Sequence, residues 1–150
     1  MPQSLSQIYL HIIFATKDHR PWLDDTIRSR VHGYLATCAR YCGCSHLHVG
    51  GPDDHVHLLV DIGKQVAPVD LIGKVKQDSS RFVKGLSSDY EHFYWQGGYG
   101  AFSVGPTRVS DVEAYIDNQV EHHKRLTFKD EFKAFLNKYE IDYNERYLWD

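Results

Sequence analysis

The sequence predicts one α+β domain over residues 1–150: a ferredoxin-like split βαβ sandwich, an antiparallel sheet with helices on one face, extended by a C-terminal helix and tail. Three observations carry this. Stretches of strand and helix period alternate in the order β-α-β-β-α-β before two more helices. Gly50-Gly51-Pro52-Asp53-Asp54 joins two of the strands with strong turn chemistry. A chain of 150 residues favours one domain and can bury a core without disulfides.

Ile8 to Ala15 is rich in β-branched and aromatic residues and reads as the first strand. Asp24 and Asp25 offer helix-capping carboxylates, and Ile27, Val31, Leu35, Cys38 and Cys42 follow at helical spacing. Two strands come next, about Ser45 to Gly50 and His55 to Ile62. The second helix runs from about Val69 to Gly85, with Ile72, Val75, Phe82 and Leu86 toward the core. Phe93 to Gly105, rich in glycines and aromatics, predicts a strand entered through a loop. Ser110-x-x-Glu113 matches a capping box opening a third helix, whose buried stripe is Val112, Ile116 and Val120. Thr127-x-x-Asp130 opens a last helix with Phe132, Phe135, Leu136 and Tyr139 on one side. The tail from Asp142 is too short to assign. With helices on one face, the other face of the sheet stays available for a ligand or partner.

A net charge of −3 excludes a broadly basic nucleic-acid coat, though not a local basic stripe. Cys38, Cys42 and Cys44 are odd in number and clustered, which argues against a disulfide framework. No apolar run opens the chain as a leader or reaches membrane-spanning length, so the expectation is a soluble cytoplasmic protein with no membrane partner. The alternation Cys42, Cys44, His46, His48 invites a zinc site, but four ligands on one short strand cannot readily wrap a tetrahedral ion.

His55 and His57 lie two apart in an apolar strand, so both imidazoles project from the same face. Such a pair suits metal ligation, or is simply two strand histidines. Tyr115 and Gln119 are four apart and stack on one helical face beside the buried stripe. A tyrosine there can act as a nucleophile, and a glutamine carbonyl can complete a metal's coordination. Equally, the helix can pack through Tyr115 with Gln119 in solvent.

Taken together, these motifs resemble the single-tyrosine HUH transposases, small insertion-sequence enzymes that move single-stranded DNA. The matching stretches are Asp54 to Val60, Gly98 to Val104 and Tyr115-Ile116-Asp117-Asn118-Gln119, with further likeness from Leu10 to Lys17 and from Glu145 to Asp150. The resemblance implies that His55, His57 and Gln119 bind a divalent ion and that Tyr115, on what is then a catalytic helix, is the nucleophile. Cleavage would leave a 5′-phosphotyrosine and a free 3′ hydroxyl. Mg2+ or Mn2+ suits an oxygen-rich octahedron completed by phosphate oxygens and water. The resemblance also implies hairpin DNA at element ends as partner. It implies a homodimer too, each site combining histidines of one subunit with the tyrosine of the other, although the short Gly105 to Ser110 segment equally lets the helix fold onto its own sheet.

Lys74, Gln77, Arg81 and Lys84 form a polar stripe on the second helix that can track phosphates. Trp95 and Tyr99 are candidates to stack exposed bases, while Phe102 reads as core. His122 and His123 lie one turn beyond Gln119 and can meet phosphate, though a helix C-terminus already favours histidine. A non-catalytic nucleic-acid binder and a metal-dependent hydrolase or oxygenase are the rival readings. The first leaves the complete tyrosine and ligand set without a use, and the second leaves the Tyr115–Gln119 spacing unexplained.

Overall fold

The computed structural model describes residues 2–150. Four antiparallel strands form one sheet: β1 (Tyr9–Ala15), β2 (Ser45–Gly50), β3 (His55–Asp61) and β4 (Gly100–Val104), in the order β2-β3-β1-β4. Helices α1 (Arg28–Tyr41) and α2 (Pro68–Lys84) cross between strands, which gives the expected split βαβ arrangement. Strand alternation sends Ile12, Phe14, Val56, Leu58 and Val60 to one face. There they bury against Val31, Leu35 and Cys38 of α1 and Leu71, Ile72 and Val75 of α2.

The opposite face is not left open. Helices α3 (Val109–Asp117), α4 (Gln119–His123) and α5 (Phe128–Lys138) fold across it. Ile13, Ala15 and Phe102 pack there against Phe128, Phe132 and Leu136, and Leu59 packs against Val109 and Ile116. The apolar faces of α3 and α5 need a surface to bury against, and the second face of the sheet supplies it. A short α6 (Glu145–Leu148) then leads to Trp149, which packs on Phe128 and Phe132. The Gly97 amide donates to the carbonyl of Asp150 at 2.9 Å, tying the tail to the glycine-rich segment.

The strand expected after a loop between Phe93 and Gly105 is β4, and Phe93 and Trp95 of the loop turn inward to the α1/α2 core. Two local expectations need correction. Ser110 lies inside α3 rather than at its cap: the turn Pro106–Arg108 runs directly into the helix, and Arg108 takes the cap position without a side-chain hydrogen bond. The third helix also breaks at Asn118 (φ −92°, ψ 11°), so Val120 is exposed rather than part of a buried stripe. By contrast, Thr127 caps α5 as expected, its hydroxyl accepting from the Asp130 amide at 3.2 Å.

The end of β2 sets the seat of α3. A β-carbon on Gly50 would lie 2.6 Å from Ile116 Cγ2 and 3.1 Å from the Ile116 carbonyl oxygen. Gly50→Ala is therefore expected to destabilise the protein by about 1–3 kcal/mol through overpacking. Gly33→Ala, in mid-α1 with nothing within 4 Å of the added carbon, should stabilise it by about 0.5–1 kcal/mol. Urea denaturation of the two variants checks both signs; an unchanged Gly50→Ala midpoint would show that α3 is not held this way.

Candidate active site

The two histidines of β3 project from the face that α3–α5 cover, opposite Ala15 and Ile13 of β1. Both rings are buried, and each is fixed through Nδ1. Asp54 Oδ1 holds His55 Nδ1 at 2.7 Å, and His11 Nε2 lies 2.8 Å from His57 Nδ1. Their Nε2 atoms then converge. Glu131 Oε1, from the first turn of α5, is 3.1 Å from both, and Gln119 Oε1 is 3.1 Å from His55 Nε2. Outward nitrogens held and inward nitrogens convergent is the arrangement of oriented metal ligands.

Tyr115 joins from the α3 side. Its hydroxyl donates to Glu131 Oε2, which also accepts from Gln119 Nε2 at 3.1 Å and lies 3.3 Å from His122 Nε2. The helix break at Asn118 separates Tyr115 from Gln119, yet both side chains reach the same carboxylate. All four residues singled out from the sequence thus meet within one chain. His123 Nε2, beyond Gln119, is 3.5 Å from Asp54 Oδ2 and flanks the His55 side.

The electrostatics follow from this packing. Burial works against a charged His55, but hydrogen bonds to Asp54 and Glu131 outweigh it and raise its pKa to about 9. Burial lowers His57 below the usual histidine value, and lowers His11 further with His57 beside it. Burial opposes the charge on Glu131, but hydrogen bonds from His55 and His57 hold it well below the usual carboxylate range. Burial and the Glu131 charge push the Tyr115 hydroxyl far above its ordinary value, so it is protonated in this state.

Sequence reasoning missed Glu131, His11 and the bracing role of Asp54. The signal for Glu131 was present: Phe128, Glu131, Phe132 and Phe135 share one face of α5, and a carboxylate inside an apolar stripe needs a buried partner. His11 shares the strand parity of Ile13 and Ala15, but only the sheet register brings it to the site.

The expected DNA-contact residues fall elsewhere. Lys74, Gln77, Arg81 and Lys84 lie on α2, which packs on the face of the sheet opposite Tyr115. Lys74 pairs with Asp78 at 3.2 Å, and Lys84 sits 3.8 Å from the Tyr94 ring centre. Trp95 is corrected: it is 8% exposed, packs edge-on against Phe14 and Phe93, and gives its N–H to Ser79, so no base can stack on it. Tyr99 is exposed, and Phe102 is core, as read. On the Tyr115 side, a cleft of about 480 Å³ is lined by His11, Arg108, Tyr115, Phe135 and Lys138.

The His55 environment predicts a pH dependence in chelator-treated protein. With its folded pKa raised from about 6.5 to about 9, His55 contributes stability that is complete below about pH 6.5. That contribution is lost as pH rises through about 9. Histidine 15N NMR should find His55 still cationic at pH 7.5, with His11 and His57 neutral. A His55 midpoint near 6.5 would contradict the arrangement.

Residues 4–119 match the family model for IS200-like transposases. No curated protein matches the chain in sequence. Among solved structures, the fold is similar to that of a putative transposase from Deinococcus radiodurans R1. The two share 22% identity over 79% of this chain and 98% of that one, with a TM-score of 0.59. It is also similar to a REP-associated tyrosine transposase bound to a REP hairpin, at 9% identity over 83% of this chain and 72% of that one, with a TM-score of 0.56. Likeness at these identities concerns the fold; the family match spans most of the sequence, and by it the chain belongs to the IS200-like transposases, enzymes that act on DNA.

Proposed function

We propose that the protein cleaves and rejoins single-stranded DNA at the ends of an insertion sequence, through a 5′-phosphotyrosine on Tyr115, with Mg2+ or Mn2+ held by His55, His57 and Gln119. The observation that carries this is the convergence of Tyr115 Oη, Gln119 Nε2 and the two histidine Nε2 atoms around one carboxylate, with Gln119 Oε1 facing His55 Nε2. The donor set fits a divalent cation: the inward Nε2 atoms of His55 and His57 converge on one point, and the Gln119 amide oxygen lies 3.1 Å from His55 Nε2. Such a cation polarises the scissile phosphate and balances the charge that builds on its oxygens.

The chain's own residues supply the rest. Tyr115 lines the cleft, and its contacts with Glu131 and His122 aim the hydroxyl. In the reaction Tyr115 Oη bonds to phosphorus and the P–O3′ bond breaks. The tyrosine proton ends on the released 3′ oxygen. Attack by another 3′ hydroxyl on the phosphotyrosine reverses these steps and joins new strands without ATP. Arg108 and Lys138 flank Tyr115 in the cleft and offer charge to the strand being cut. The α2 stripe, on the far layer, is left for a different DNA segment, such as the stem of a hairpin. The neighbour with a bound REP hairpin supports hairpin DNA as the partner.

Assembly of both halves within one chain supports a complete site in each subunit. The homodimer implied by the family resemblance then pairs two complete sites, which suits a reaction with two DNA ends. No helix among the described residues is long and apolar enough to cross a membrane.

Tyr115→Phe removes only the attacking oxygen, so folding and DNA binding should survive. The covalent protein–DNA band on a denaturing gel should vanish, and its persistence would assign the nucleophile elsewhere. A chelator should suppress the wild-type band, and each of His55→Ala, His57→Ala and Gln119→Ala should reduce it, the histidine changes most. Adduct formation untouched by chelation would remove the metal from the mechanism. Mixed pairs of Tyr115→Phe and His57→Ala subunits should be inactive if each chain builds its own site. Recovered cleavage would mean that α3 is exchanged between subunits.

A further inference from the structure

Glu131 stands at the centre of the site without a role in the ligand set considered so far. It is 3% exposed, and its two oxygens divide their partners. Oε1 faces His55 Nε2 and His57 Nε2, at 3.1 Å each. Oε2 takes the Tyr115 hydroxyl, Gln119 Nε2 at 3.1 Å and His122 Nε2 at 3.3 Å. A carboxylate is seldom placed so deeply unless it is paired or binds a metal.

Its position is built, not accidental. The Thr127 cap starts α5 one turn earlier, and Phe128 and Phe132 on either side of Glu131 lock the helix onto Ile13, Ala15 and Phe102. Any rotation of α5 that freed Glu131 would expose this apolar cluster.

The chemistry of the cation points the same way. Two neutral imidazoles and one amide oxygen carry no charge, whereas hard cations such as Mg2+ and Mn2+ favour carboxylate oxygen. Glu131 is the buried carboxylate whose oxygen already lies against both histidine nitrogens that face inward.

Building on the metal-dependent reading above, we infer that Glu131 is a further ligand of the divalent ion, binding through Oε1, while Oε2 positions the Tyr115 hydroxyl beside the metal. The ligand set is then His55, His57, Gln119 and Glu131, with a single negative charge, and the remaining positions go to phosphate oxygens or water. One side chain links the nucleophile to the metal centre.

Calorimetric titration of chelator-treated protein with MnCl2, without DNA, tests this apart from activity. Glu131→Gln keeps the volume and one acceptor oxygen but loses the charge, and should weaken Mn2+ binding by about 10- to 100-fold. Glu131→Asp keeps the charge on a shorter arm and should recover part of that loss. Wild-type affinity in Glu131→Gln, alongside lost binding in His57→Ala, would remove Glu131 from the ligand set and leave the metal reading intact. Wild-type protein that binds no Mn2+ would sink both. If Glu131→Gln does not fold, anomalous scattering from Mn2+-soaked wild-type crystals decides: a peak in coordination contact with Glu131 Oε1 supports the assignment, and a peak on His55, His57 and Gln119 alone overturns it.

Discussion

A carboxylate in a protein interior must be satisfied, because leaving even one buried polar group unpaired costs roughly 1–3 kcal/mol, and a charge costs more. Glu131 meets this demand by gathering partners from three separate elements: His55 and His57 from β3, Tyr115 from α3, and Gln119 and His122 from α4. Its presence on α5 therefore fixes more than α5. It gives the broken α3–α4 helix a polar anchor on the sheet, and it holds the tyrosine against the histidine pair. Asp54 and His11 complete the network from behind, so that each ring nitrogen of His55 and His57 has a partner. Networks of this kind are specific because partial satisfaction is worse than none.

The division of the sheet into two faces explains the rest of the molecule. One face carries an apolar core against α1 and α2; the other carries two smaller apolar clusters with the polar centre beside them. The strand alternation that buries Val56, Leu58 and Val60 on one side necessarily sends His55 and His57 to the other. Stability and chemistry are thus separated by the thickness of one sheet. The half-buried Lys76 serves the structural side. Its ammonium donates to the carbonyls of Gln96 and Gly98, holding the glycine-rich segment, and burial lowers its pKa to about 8.

Much of this was legible in the sequence, and the reasons differ by residue. Strand parity alone placed His55 and His57 together, and helical spacing placed Tyr115 near Gln119; both are local rules and survive even the break at Asn118. The split βαβ arrangement followed from element order. What failed needed tertiary information. The capping pattern at Ser110 was outcompeted by a turn that starts the helix earlier. Trp95 looked like a stacking surface, but Ser79 of α2 offers its N–H a buried partner. The α2 stripe was amphipathic as read, yet no local rule says which face of the sheet a crossover helix will cover. Glu131 was hidden in plain periodicity, its meaning supplied only by what α5 packs against.

The central claim is that these converging side chains form one reactive centre with Tyr115 as its nucleophile. The most direct measurement is peptide mapping by mass spectrometry, after incubation with single-stranded DNA, a divalent ion and nuclease trimming. The account predicts a nucleotide joined through its 5′ phosphate to the peptide containing Tyr115. A nucleotide on another tyrosine, such as Tyr99 or Tyr139, or a cleaved strand with no protein attached, would contradict it.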